Sequence, residues 1–333
     1  MSLQISVVIP VYNAARFLEA AVASALQLEE VAEVVLVEDG SPDNSLQICK
    51  ALAAEEPRVQ LFRHPGGANK GAGASRNFGI AKASQEYIAF LDADDRFLPN
   101  RFREEHRIFA EHPDADGVYG AIDVHFHDQE GRLKFENRGL RSLTTMDRAL
   151  TPEELFHGLS GVLGPLGYFS LDAFTVKRKS LLASGQWFNE DLRLNQDTDF
   201  LIRLSFYLRL YPGSIAEPVA QRGVHAENRI TATRATDEHT IRLYASLRSW
   251  ASVAPVDRAA RLRFEEKWLT ARASCATDRR EKLAVLGRVA AQPALWHRHD
   301  LRMGALDLVA KRETWLGDKL NKLGWKIFGQ PKD

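Results

Sequence analysis

Two cysteines, Cys49 and Cys275, are all that 333 residues contain, too few for a disulfide framework or a cysteine-based zinc cluster. A reducing compartment is the expectation. Net charge is missing too: 44 Lys and Arg meet 44 Asp and Glu, which speaks against a nucleic-acid binder, normally basic overall. No apolar run approaches the ~20 residues that span a bilayer. The longest, Gly161 to Phe174, is interrupted by Gly164, Pro165 and Gly167. No basic flank precedes the first apolar stretch, so a signal peptide is not expected. Internal repeats and proline-rich linkers are absent as well. What is present is 45% hydrophobic and 26% charged residues, a composition that excludes disorder. At this length it suggests about two domains.

The neutrality hides an asymmetry. From Asp237 to Asp333 the chain holds 19 basic and 12 acidic residues, so the remainder holds 25 and 32. The same stretch lacks strand-like runs and is rich in Ala, Leu and Arg. The expected division is 1–235 and a helical 236–333. The first part alternates strand and helix signals, which implies crossover units and a mostly parallel α/β sheet flanked by helices. Ile5–Ile9 is a β-branched strand that Pro10 should end, and Ala15–Leu28 has a helical period with Phe17, Leu18, Val22 and Leu26 on one face. Val34–Val37 is a second buried strand, after which Asp43 should cap a helix to about Ala54. Val59–Phe62, a helix from about Ala72 to Ala83, and the strand Tyr87–Leu91 complete the series.

Such sheets bind ligands at the carboxyl ends of their strands. Here those ends carry Pro10-Val11-Tyr12-Asn13, Glu38-Asp39-Gly40-Ser41 and Asp92-Ala93-Asp94-Asp95. Three carboxylates in four residues repel, so solvation, nearby cations or a bound metal must compensate; a hard divalent cation prefers such oxygens. If the strand persists, alternation sends Asp92 and Asp94 to the same side. The loop from Gly66 to Asn77 opens a helix whose N–H groups suit an anion. It is neither a dinucleotide fingerprint, because Arg76 stands where the third glycine belongs, nor a P-loop, because no Gly-Lys-Ser/Thr ending occurs.

Together these residues resemble the catalytic domain of glycosyltransferase family 2, with its Rossmann-like GT-A fold, over about residues 4–235. Val7–Asn13 looks like the family's opening strand, and Glu38-Asp39-Gly40-Ser41 is similar to its Asp-Asp-Gly-Ser element, with Glu38 in place of the first acid. Asn69-Lys70-Gly71 with Ser75–Gly79 resembles its Asn-x-Gly and Ala-Arg-Asn-x-Gly segment, and Asp92-Ala93-Asp94 its Asp-x-Asp (DXD) site. The resemblance implies nucleotide contacts from Pro10, Val11, Tyr12, Asn13, Asp39, Lys70, Arg76, Asp92 and Ala93. It implies Mn²⁺ or Mg²⁺ held by Asp94 with Asp92 and Asp95.

Further on, Asn195-Gln196-Asp197 with Leu201 and Arg203 is similar to the family's Glu-Asp-x-x-Leu…Arg stretch, Gln196 replacing the Glu; Asp197 is then the catalytic base. By residue type alone, Asn195 or Asp197 is a helix cap. Arg222-Gly223-Val224-His225 with Asn228–Thr231 resembles the family's closing Arg-x-x-His segment, making His225 a metal or diphosphate contact.

The implied activity is inverting transfer of a sugar from a nucleotide sugar, UDP-linked by preference, to a saccharide or lipid-linked saccharide in cell-surface polysaccharide or lipopolysaccharide synthesis. Acceptor selection falls to Gly161–Asp172 and the C-terminal helices, with Tyr168, Phe169 and Trp187 as stacking candidates. His125 and His127 share a strand face without a third ligand of fitting spacing, so a polar face before the Asp128–Gly131 turn is expected. Leu316, Leu320, Leu323 and Ile327 form an apolar stripe beside Lys319, Lys322 and Lys326, readable as an interfacial membrane helix or as one docked on its own domain. The expected location is cytoplasmic, with peripheral membrane contact and homo-oligomerisation left open. Two rivals remain: a sugar nucleotidyltransferase, which should carry a Gly-x-Gly-Thr-Arg loop after the first strand, and a non-catalytic nucleotide-sugar binder.

Overall fold

A computed structural model describes residues 3–226, 237–276 and 279–290. By contact density the chain divides into two compact units, Met1–Arg234 and Ala235–Asp333.

The first unit is built on β-branched runs too apolar to face water on either side. β1 (Ile5–Val11) pairs in parallel with β2 (Val31–Glu38) and β4 (Tyr87–Phe90), and β2 pairs with β3 (Val59–Arg63). Side chains alternate along β1. Val7, Ile9 and Val11 pack under α1 (Leu18–Leu26), while Val8 joins Phe90, Phe200 and Ile80 on the opposite face. α2 (Ser45–Glu55) follows β2, and α3 (Ala72–Lys82) covers the Val8 side. α3 approaches so closely that a Cβ at Gly79 would stand 2.3 Å from Val8 Cγ1. Pro10 does not end β1. Its position faces the β4 side, where pairing has already stopped at Val8, so the missing N–H costs no ladder bond.

The sheet then grows to seven strands in the order β3-β2-β1-β4-β8-β6-β9. β8 (Phe174–Lys177) runs antiparallel to both β4 and β6 (Gly117–Tyr119), and β9 (Leu210–Pro212) returns parallel to β6. The expected mostly parallel sheet is therefore present with one reversed strand. A second sheet sits at its upper edge: β5 (Arg96–Phe97) and β7 (Ala121–Phe126) flank β10 (Pro218–Val224). The remaining helices are α4 (Arg103–Glu111), α5 (Gln129–Asn137), α6 (Pro152–Leu159), α7 (Arg178–Ser184) and α8 (Gln196–Tyr207).

The second unit contains helices Asp237–Val253, Arg258–Cys275 and Arg279–Ala290. Asp257 caps the middle one by accepting from Ala260 N–H at 2.8 Å. Trp268 anchors their core beside Leu269 and Val285, with the Arg248 guanidinium 3.9 Å from its ring centre. No described helix is long and apolar enough to cross a membrane. The 316–327 stripe and the Asn228–Thr231 half of the closing segment lie outside the described residues.

Candidate active site

β4 stops at Phe90, and the chain folds into a turn closed by Asp95 N–H donating to the Asp92 carbonyl at 3.0 Å. Because the strand does not persist, Asp92 and Asp94 part company, contrary to the alternation expected from sequence. The turn has two sides.

On the α3 side, Asp92 accepts from Arg76, whose side chain is only 4% exposed and lies over the Phe188 ring. Asp197 acts on the same guanidinium. Burial disfavours the Arg76 charge, but Asp92, Asp197 and Asp172 together outweigh it and raise the pKa. Arg76 Nε and Nη1 have no protein partner. Asp197 lies exposed in the first turn of α8, where its carboxylate accepts from Thr198 N–H. The preceding Asn195 sits at φ 61° and makes no side-chain cap. Asp199, also in that turn, is buried and paired with Arg203 at 2.5 Å. Capping thus explains neither Asn195 nor Asp197.

Beneath the turn, carboxylate oxygens of Asp92, Asp95 and Asp172 lie within 4.8 Å of one another. Asp172 was not singled out from sequence, because nothing in Leu171-Asp172-Ala173 distinguishes it from a turn acid. Burial first, then neighbouring acids, push Asp95 and Asp172 up in pKa.

On the α1 side, Asp94 Oδ2 lies 3.8 Å from His225 Nε2, and His127 Nε2 is 3.5 Å from the Asp94 carbonyl. The Phe17 ring contacts both imidazoles, at 4.5 and 4.7 Å. Phe17 and His127 border a cleft of roughly 250 Å³ lined also by Arg16, Asp94, His125 and Gln221. Burial lowers the pKa of His125 and His127, with Arg96 adding to the effect on His125 and His225 to that on His127. His125 and His127 lie near residues 94 and 225, which are too remote in sequence for a spacing rule to have grouped them. Gly223 makes the approach feasible, since a Cβ there would stand 2.0 Å from the Asp94 carbonyl. A carboxylate beside imidazoles is a donor set that suits a divalent cation.

At the β2 tip, Asp39 is buried and accepts from Lys70 N–H at 2.7 Å and Gly71 N–H at 2.8 Å, tying the glycine-rich loop to the sheet. Gly40, at φ 71°, lies against that loop, where a Cβ would meet the Gly67 carbonyl at 2.6 Å. Glu38 is fully buried, accepting from Ser41 N–H and Arg63 Nε. At the β1 tip, Val11 is buried, Pro10 partly so, Tyr12 is 52% exposed, and Asn13 adopts φ 53°. Asp43, one residue ahead of the N-cap Asn44, accepts from Ser45 N–H at 3.1 Å and Ser45 Oγ at 2.6 Å at the start of α2, and from Ala15 N–H at 2.9 Å, so it serves the helix start and joins the loops after β1 and β2. Lys70 is exposed, Ala93 packs into the core beside Val11, and Phe169 is buried, which removes it from the sugar-stacking candidates; Tyr168 and Trp187 remain exposed.

Residues 6–171 match the family model for glycosyl transferase family 2. Among curated relatives, glycosyltransferase GlyG of Streptococcus pneumoniae is 36% identical over 137 residues, 40% of this chain and 44% of its own. The succinoglycan biosynthesis protein ExoU of Rhizobium meliloti is 30% identical over 60% of this chain and 56% of its own. The minor teichoic acid biosynthesis protein GgaA of Bacillus subtilis is 28% identical over 64% and 45%. The chain thus spans about half the length of these relatives. In fold it is similar to S. aureus TarS 1-349 in complex with UDP-GlcNAc, with a TM-score of 0.61 at 17% identity, covering 92% of this chain and 81% of that one.

Proposed function

We propose, from the premise that this chain belongs to glycosyltransferase family 2 and has its GT-A fold, that it transfers a sugar from a UDP-sugar to an acceptor hydroxyl with inversion. The observation that carries this reading is the gathering of acids from two stretches of chain with basic residues from two more: Asp92 and Asp197 on Arg76, and Asp94 beside His225.

Asp197 is exposed on a helix start and free to take the acceptor proton as the hydroxyl attacks, a role worth about 10²–10⁴-fold in rate. Arg76 fixes Asp92, and its charge would attract anionic oxygens of the donor; its Nε and Nη1 are buried and have no hydrogen-bond acceptor in the protein. Pro10, Val11, Tyr12, Asn13, Asp39, Lys70 and Ala93 border the nucleotide. Asp94 and His225, with Asp92 and Asp95 beside them, would hold Mn²⁺ or Mg²⁺, which would supply charge neutralisation for a diphosphate leaving group. Tyr168 and Trp187, both exposed, receive a saccharide or lipid-linked saccharide. The excess of 19 basic over 12 acidic residues from Asp237 onward favours an acidic acceptor or anionic membrane face, consistent with a cytoplasmic protein acting peripherally in cell-surface glycan synthesis. The last hundred residues would serve acceptor, membrane or self-association contacts.

Calorimetric titration with UDP, with and without Mn²⁺, followed by a turnover assay across UDP-sugars, tests the reading. Binding that strengthens with Mn²⁺ and UDP release that rises with acceptor are expected. UDP binding indifferent to the metal refutes the cation's role, and no binding at all refutes the donor.

A further inference from the structure

Asp172 is 2% exposed, in the short helical turn before β8, and nearly every polar atom it has is committed. Its Oδ1 accepts from Asp92 N–H at 3.0 Å and its Oδ2 from Ser170 Oγ at 2.8 Å. Its carbonyl accepts from Arg101 Nε at 2.8 Å, and its side chain is hydrogen-bonded to Asp95. Arg101 is itself fully buried and anchored by Glu105 at 2.5 Å and by the Phe174 carbonyl at 3.1 Å. Asp95 in turn accepts from Gly223 N–H at 2.8 Å, linking the turn to β10, the strand that leads directly to His225.

Three clustered acids invite assignment as a metal site, but the bonds argue otherwise. Asp172 and Asp95 spend oxygens on backbone N–H groups of the two segments that carry Asp94 and His225. Arg76 and Arg222 already supply positive charge to the cluster. The cluster is a strut.

We propose that Asp172 is a positioning residue, holding the Asp92–Asp95 turn against β10 so that Asp94 projects toward His225. This rests on the cation role of Asp94 and His225 proposed above. Outer partners of metal ligands are commonly worth about 10–100-fold in metal affinity. Asp172→Ala in the full chain should therefore weaken Mn²⁺ support of UDP binding by about that factor, while metal-free UDP affinity stays unchanged. Asp172→Asn keeps an acceptor for Asp92 N–H and a donor for Asp95, and should restore most of the loss. A merely structural role lowers the melting temperature of Asp172→Ala but leaves its Mn²⁺ affinity at the wild-type value; that result overturns the proposal, as does Asp172→Asn failing as badly as Asp172→Ala. If Asp172→Ala does not fold, Ser170→Ala decides. It removes the donor to Oδ2, and weakened Mn²⁺ support sustains the proposal while unchanged affinity overturns it. A wild-type protein that binds UDP without regard to Mn²⁺ refutes the cation reading itself, and this inference falls with it.

Discussion

One four-residue turn presents two unlike surfaces. On the α3 side, charge is concentrated and balanced: Arg76 is buried against Asp92 and acted on by Asp197 and Asp172. On the α1 side, Asp94 lies beside His225 and opens onto a cleft with His125 and His127, where burial keeps His125 and His127 below their ordinary pKa and so disposed to be neutral. Fixed, mutually satisfied charge suits holding substrate oxygens without reorganisation. Imidazole nitrogens grouped near a carboxylate suit binding a cation. The difference teaches that acids adjacent in sequence can be given separate tasks by ending a strand between them.

Substitutions should separate the two sides. Asp197→Asn should reduce turnover by about 10²–10⁴-fold and leave UDP affinity unchanged, measured by steady-state kinetics with parallel calorimetry. Normal turnover would remove Asp197 from the chemistry. Asp94→Ala should abolish the Mn²⁺ enhancement of UDP binding, an effect of about tenfold or more, without altering metal-free binding; equal losses in both would merge the two sides into one. Arg76→Gln should act on stability as well as binding. It removes one of the two guanidinium groups that act on both Asp92 and Asp172, the other being Arg222, so denaturant unfolding should show a loss of roughly 2 kcal/mol. An unchanged midpoint would mean that water already serves those acids.

Gly79→Ala probes the scaffold under the α3 side. Its new methyl would meet Val8 at 2.3 Å, and about 1–3 kcal/mol of destabilisation is expected from thermal melts. The smallest effect is on pH. Burial opposes ionisation of Glu38, but bonds from Ser41 and Arg63 outweigh it and hold the pKa below its usual 4.5. A depressed folded pKa gives stability that is present above 4.5 and lost as pH falls through the folded value. Glu38→Gln should therefore show a flatter decline of melting temperature on the acid side than the wild type, and an identical decline would assign the effect elsewhere.

Much of the first hundred residues was legible because the signals there are local. β-Branched runs, a Gly-rich loop and clustered acids at strand ends identify β1 to β4, the loop tied by Asp39, and the acidic turn. Legibility declines where the structure depends on distant pairing. β8 reverses direction between β4 and β6, and β10 pairs with β7 and β5 across about a hundred positions of sequence. No periodicity announces such a sheet. Asp172 and the neighbourhood of His125 and His127 were hidden for the same reason: their partners are brought by β10 and by the turn, not by sequence neighbours. Pro10 misled because a rule about central strands was applied to a position whose far side has no neighbour.

The clasp between Asp39 and the N–H groups of Lys70 and Gly71 has a consequence for recognition. Each carboxylate oxygen keeps a second lone pair after those bonds are made. An incoming base edge would meet an acceptor whose rotamer is already frozen and whose desolvation has already happened, so little ordering entropy is lost on docking. Discrimination among bases would then be decided by a template set during folding, before any ligand arrives.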